Sequence, residues 1–112
     1  MRESLVHHMR NPWTTYWQRI RARRESWRPV LEMEIQKWSA KSYEELVSDL
    51  KGEPCYERKI GGETFQIEVT ILENNTSYIH VGVSVDDGSL PASLRPMASS
   101  FIRERSGVVP SK

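Results

Sequence analysis

The chain has 112 residues, the length of one small domain. Its 16 Lys and Arg residues nearly balance its 15 Asp and Glu residues, and 38% of the chain is hydrophobic, as in many globular domains. No run of about 18 apolar residues is present, so no transmembrane segment is predicted. The single cysteine excludes an internal disulfide and a multi-cysteine zinc site, and it favours a reducing, cytoplasmic location.

Charge divides the chain into two parts. Residues 1–28 contain seven arginines against two glutamates, a net charge of +5, and three of the four tryptophans. Residues 29–112 carry a net charge of −4. Pro29 marks the boundary, because a proline inside a helix ends or kinks it. We therefore predict a basic Trp/Arg-rich extension over 1–28, helical or disordered, and a single small α+β domain over 29–112.

The basic extension has the pattern of a helix. Asn11-Pro12 is typical of a helix start, with a capping side chain followed by proline at the first helical position. Apolar residues then recur on one face at helical spacing, and most arginines point elsewhere. These apolar residues are Trp13, Tyr16, Trp17, Ile20 and Trp27. The pattern predicts a basic, aromatic-rich amphipathic helix of about four turns.

The same segment contains the candidate binding residues. They are Trp13, Trp17, Arg19, Arg21, Arg23, Arg24 and Trp27. Arginines can bind phosphates while aromatic rings stack on bases, so nucleic acid is a candidate partner for residues 10–28. The pattern also fits an anionic membrane surface, or docking of the Trp face on a partner protein or on the chain's own domain. A short isolated helix is marginal in water, which leaves a disordered extension as a further alternative.

Two further helices are predicted after Pro29. Leu31, Ile35 and Trp38 recur at the spacing of a short helix. Ser42 and Glu45 form a capping box, in which each side chain satisfies a free backbone amide of the other residue. An apolar stripe follows, and a helix over Ser42–Lys51 is therefore predicted, with Gly52 ending it.

The second half of the domain alternates polar and apolar residues with the period of β-strands. Strands are predicted at Cys55–Ile60, Thr64–Leu72 and Tyr78–Val85, joined by turns at Gly61-Gly62 and at residues 73–77. A short fourth strand is predicted around residues 91–95, and a final helix over Met97–Arg105. The fold class is thus α+β: N-terminal helices, an antiparallel three- or four-stranded meander, and a short C-terminal helix.

These elements together predict one hydrophobic core, formed where the helices cover one face of the sheet. The expected core residues are Leu31, Ile35, Trp38, Tyr43, Leu46, Val47, Leu50, Phe65, Ile67, Val69, Ile71, Ile79, Val81, Val83, Val85 and Phe101.

Few polar residues have the spacing of a catalytic or metal site. In Asp86-Asp87-Gly88, consecutive side chains on extended backbone point in opposite directions, and the loop lacks calcium-site spacing. We therefore interpret it as a turn. His80 and Glu68 lie on the polar sides of neighbouring strands, and pairing in register would bring them about 5 Å apart. That pair, with Asp86, is the basis for a small-enzyme alternative. No catalytic motif, metal-ligand set or cofactor fingerprint is found.

From about Leu31 onward the chain resembles a widespread group of small uncharacterised bacterial proteins. The residues that carry the resemblance are Ile35–Ser39, Tyr43–Leu46, Phe65–Val69, Val83–Gly88, Pro96 and Ser100–Ile102. The group supplies no activity, cofactor or catalytic residue. The resemblance implies a compact unit that begins near Met33, and in one alternative residues 1–32 are an upstream extension.

These observations favour a non-enzymatic protein-interaction module of the bacterial cytosol. Its partner would be another protein or a second copy, bound through an edge strand or the Trp-rich extension. The alternatives are nucleic-acid binding through the extension and a small enzyme using His80, Glu68 and Asp86. An immunity or antitoxin role would also fit a small acidic domain.

Overall fold

The computed structural model describes residues 12–89 and 96–105. Within these residues three helices come first, and four strands then form one antiparallel sheet with the order β1-β2-β3-β4. The elements are α1 (Pro12–Glu25), α2 (Arg28–Ser39), α3 (Tyr43–Asp49), β1 (Cys55–Ile60), β2 (Glu63–Asn74), β3 (Tyr78–Asp86) and β4 (Met97–Glu104). The predicted α+β class, with helices followed by an antiparallel meander, is confirmed.

The predicted C-terminal helix is wrong, because Met97–Glu104 is the strand β4. It pairs antiparallel with β3, with Val85 opposite Met97 and Val81 opposite Phe101. This pairing satisfies backbone groups that β3 would otherwise leave without partners on that side. Residues 97–104 contain too few apolar residues to distinguish helical from strand periodicity. Pairing with β3 makes this segment a strand. The short strand predicted around residues 91–95 lies outside the described residues.

Local signals placed the other elements well. Helix α1 spans Pro12–Glu25 within the segment predicted to be helical, and the predicted cap Asn11 lies outside the described residues. The capping box of α3 is present: Ser42 Oγ accepts from Glu45 N at 3.1 Å, and Glu45 Oε1 accepts from Ser42 N at 2.9 Å. Between β1 and β2, the two glycines at positions 61 and 62 have φ values of +58° and +84°. Two consecutive positive φ angles are typical of a tight hairpin turn, as predicted.

The core lies between the helices and one face of the sheet. Eleven of the predicted core residues are buried, and the other five are partly buried against them. Those five are Ile35, Tyr43, Val47, Ile71 and Phe101. The core also contains Trp27, Val30 and Met97, which the sequence analysis did not assign to it. Trp27 lies two residues after the end of α1, so the end of the basic extension packs into the domain.

The opposite face of the sheet carries no helix among the described residues. On this open face the register of β2 and β3 shifts between Ile71 and Glu73, which is typical of a β-bulge at Leu72. Leu72 is exposed and lies against Gly82, where a Cβ atom would approach its side chain to 3.1 Å. The bulge and the glycine together leave a shallow groove of about 170 Å³ on this face.

Candidate interaction surface on the first helix

Asp87 attaches the C-terminal end of α1 to the end of β3. Its side chain is only 3% exposed, and its Oδ2 accepts hydrogen bonds from Trp27 Nε1 at 3.0 Å and from Arg23 Nε at 2.7 Å. Arg23 also pairs with Glu63 at 3.2 Å, and Arg24 donates to the Pro96 carbonyl at 3.3 Å. Side chains from the end of α1 thus contact the first residue of β2 and residues adjacent to β3 and β4.

Asp86 ends β3, and the chain bends at Gly88, inside the segment for which a turn was predicted. Gly88 has a φ of +75°, and its amide donates to Asp86 Oδ1 at 2.7 Å. Burial by itself would raise the pKa of Asp87, but hydrogen bonds from Ser89 and Trp27 and the charge of Arg23 outweigh it and lower that pKa. Asp87 is therefore an ionised anchor at neutral pH. The described residues contain no group of three or more His, Cys, Asp or Glu side chains that could hold a metal ion.

The first two turns of α1 present an aromatic cluster, which we define as Trp13, Tyr16 and Trp17. Their side chains are 67%, 43% and 49% exposed. The rings of Trp13 and Tyr16 meet at 90° with centroids 6.2 Å apart, and those of Tyr16 and Trp17 at 73° and 5.4 Å. Edge-to-face contacts of this kind hold the rings against one another. Ile20, further along the same face, is buried. The apolar face of α1 thus changes from exposed to buried along its length.

The candidate arginines separate into two pairs. Arg23 and Arg24 contact the domain, as described above. Arg19 and Arg21 are exposed, and neither forms an ion pair or hydrogen bond with another described residue. Of the seven predicted binding residues, four therefore share the exposed part of α1: Trp13, Trp17, Arg19 and Arg21. Trp27, Arg23 and Arg24 belong to its attachment. Tyr16 completes the aromatic cluster and was missing from the predicted set, although its helical spacing was recognised.

The structure does not bring His80 and Glu68 together. Glu68 lies opposite Ser84, whereas His80 lies opposite Glu73. His80 is four positions away from Ser84, the residue that faces Glu68, which is about 13 Å of extended strand. His80 Nε2 instead lies 2.9 Å from Ser100 Oγ on β4. The pair expected for a small enzyme is therefore not formed.

A buried polar network under α2 was missed by the sequence analysis. Glu34 is 1% exposed, accepts a hydrogen bond from the Tyr56 hydroxyl, and forms an ion pair with Arg58. Trp38 Nε1 donates to the Tyr56 hydroxyl oxygen at 2.9 Å, and Lys37 Nζ lies 4.7 Å from the centre of the Tyr56 ring. Burial and the hydrogen bond to Glu34, opposed by the one from Trp38, raise the pKa of Tyr56 to about 12. These contacts fasten α2 to β1.

The sequence does contain a signal for this network. Glu34 lies four residues after Val30 and four before Trp38, and therefore on the buried side of α2. Arg58 lies two residues after Tyr56, so both side chains are on the side of β1 that faces the helices. Opposite charges at inward positions of two different elements predict a buried ion pair.

No helix among the described residues is both long and apolar enough to cross a membrane. Searches of family models, curated proteins and solved structures find no match to the chain. The resemblance to small bacterial proteins therefore stays a prediction.

Proposed function

We propose that the protein is a non-enzymatic interaction module that binds a partner protein through the exposed part of α1. The observation that carries the proposal is the aromatic cluster, whose three rings remain 43–67% exposed on a helix fastened to the domain at its other end. Exposed apolar patches of this kind mark interaction sites, and Trp, Tyr and Arg are the residues that most often dominate binding energy.

The spacing of the cluster favours a helix that lies in a groove. Residues 13, 16 and 17 stand at i, i+3 and i+4, the positions at which an amphipathic helix inserts its anchors. Arg19 and Arg21 flank them, so the complementary groove is apolar with an acidic rim. Because Asp87 and the burial of Trp27 already hold the end of the helix, less conformational entropy is lost on binding.

The arginine contacts favour protein over nucleic acid as the partner. Of the four arginines from position 19 to 24, Arg23 and Arg24 are engaged with the domain. A protein that binds the phosphate backbone of DNA can make about 6–10 phosphate contacts, and the two exposed arginines Arg19 and Arg21 supply few of them.

The exposed free thiol of Cys55 suits a reducing compartment, and we therefore propose the cytosol as the location of the interaction.

The proposal is tested with the full chain and two double variants. Tyr16→Ala with Trp17→Ala removes half-exposed rings from α1, and the matched control, Met33→Ala with Leu72→Ala, removes exposed apolar side chains elsewhere. We expect proteins captured by the wild type from its own cells to be retained by the control and lost by the α1 variant. The captured protein is then purified, and the α1 variant should weaken its binding by about tenfold or more.

Two results would contradict the proposal. One is equal binding of the partner by the α1 variant and by the control. The other is release of the captured material by nuclease, with an affinity that falls steeply as salt rises and is lost on replacing Arg19 and Arg21 by Glu. That second result would make nucleic acid the partner of α1.

A further inference from the structure

The two edges of the sheet differ in how they are protected. The middle of β1 carries Glu57, Arg58 and Lys59, and charges on an edge strand discourage pairing with another chain. β4 carries no charge from Met97 to Ile102, and among the described residues it pairs only with β3. Its outer backbone amides and carbonyls form a template for a further strand.

A groove runs beside this unprotected edge. It lies between α2 and β4 and has a volume of about 380 Å³. Leu31 and Ile35 supply apolar side chains to its lining, and Ala98 and Ser99 contribute only small side chains from the strand. Its polar lining residues are Arg28, Glu32 and Gln36. A strand added to β4 would place every second side chain on the helix-covered side of the sheet, next to this groove.

Large and small residues alternate along β4 in a way that suits pairing with itself. Phe101 and Ser99 share the helix-covered face, while Ile102 and Ala98 share the open face. If two copies of β4 pair antiparallel around a two-fold axis at Ser100, Phe101 of each copy lies opposite Ser99 of the other. Ile102 then lies opposite Ala98. A large side chain therefore meets a small one on both faces.

The neighbouring registers lack this fit. An axis at Ser99 would place Met97 opposite Phe101, and an axis at Phe101 would place that ring opposite its own copy. Side-chain size therefore favours the axis at Ser100.

We propose that two copies of this chain form a symmetric dimer by antiparallel pairing of β4 with β4 around Ser100. The two sheets join into one sheet of eight strands, and Phe101 of each copy covers Ser99 and the groove of the other. This interface is separate from the aromatic cluster on α1, so it does not depend on the proposed function.

The register is tested by disulfide trapping in the full chain, with Cys55→Ser as the background. In an antiparallel pair, residues directly opposite have Cα atoms about 4.5–5.5 Å apart, which a disulfide can bridge. Ser100→Cys should therefore form a covalent dimer on mild oxidation. Ser99→Cys should not, because the two Ser99 residues would be about 8 Å apart. Absence of the Ser100→Cys dimer, or equal trapping by both variants, would overturn the proposal.

The assembly is tested by sedimentation equilibrium of the untrapped chain. We expect a dimer at micromolar concentration, and Ser99→Lys should raise its dissociation constant by about tenfold or more by placing a charge against Phe101 twice. Ser48→Lys makes the same Ser-to-Lys substitution at an exposed position of α3 and should leave the dissociation constant unaltered. Circular dichroism checks that both variants stay folded. A wild-type monomer at high micromolar concentration, or a dimer lost only with Tyr16→Ala and Trp17→Ala, would overturn the proposal.

Discussion

Replacing Glu34 by alanine should destabilise the protein strongly, because it leaves Arg58 without its counter-charge and the Tyr56 hydroxyl without its acceptor. Glu34 is 1% exposed and contacts both Arg58 and Tyr56. Removing one member of a buried ion pair typically costs about 3–5 kcal/mol, and the 33% exposure of the Arg58 side chain places the expected cost at the lower end. A domain of this size has a total free energy of unfolding of about 5–15 kcal/mol. The substitution should therefore remove a large share of the stability.

The assay is equilibrium unfolding in urea, followed by tryptophan fluorescence and circular dichroism. Glu32→Ala is the matched control, since Glu32 is an exposed glutamate on the same helix, and it should change the free energy of unfolding by no more than about 0.5 kcal/mol. The slope of the transition should be unchanged in both variants, so that a shift in midpoint reports stability alone.

A double-mutant cycle separates the ion pair from the loss of packing. In Glu34→Met with Arg58→Met, both charges are replaced by apolar side chains of similar length, and such a replacement is often neutral or stabilising. We expect this double variant to be more stable than Glu34→Met alone, with a coupling energy of about 1–3 kcal/mol. Equal stability of Glu34→Ala and Glu32→Ala, or additive effects in the cycle, would refute the role assigned to Glu34.

Three further predictions concern single residues. Asp87→Ala should lower the free energy of unfolding by about 2–4 kcal/mol and speed hydrogen exchange in α1, because Trp27 Nε1 and Arg23 lose their acceptor. Because folding lowers the pKa of Asp87, its contribution to the free energy of unfolding is full above about pH 4 and is lost as the pH falls further. The stability of Asp87→Ala should therefore lack this part of the dependence on acid pH. Tyr56 should ionise near pH 12, so the stability it confers is full below about pH 10 and lost as the pH rises towards 12; Tyr56→Phe should remove this late step from an ultraviolet absorbance titration. Ser42→Ala should cost about 1 kcal/mol in thermal unfolding, and an unchanged melting temperature would contradict the capping box.

Helix α3 and the first three strands could be predicted because their signals are local. A capping box joins residues three positions apart, a hairpin turn needs two consecutive glycines, and alternation of apolar side chains is visible within a single strand. For the same reason most of the core was predicted correctly. The position of α1 from Pro12 onward was likewise predicted from a cap, a proline and helical spacing.

The surface on α1 could be predicted only in part. Its aromatic residues and arginines were recognised as one helical segment, but the sequence does not separate those that bind outward from those that hold the helix in place. Trp27 and Arg23 are directed inward by Asp87, which lies about 60 residues further along the chain. Composition and periodicity carry no information about such a distant partner.

By itself, therefore, the sequence determined the elements whose hydrogen bonds and apolar periodicity close within a few residues. Tertiary structure alone decided that residues 97–104 form a strand, that Glu68 faces Ser84 and not His80, and that Glu34 pairs with Arg58. The physical reason is the same in each case. A strand needs the backbone of its neighbour, and a buried charge needs a counter-charge from another element, so both depend on chain segments that only folding brings together.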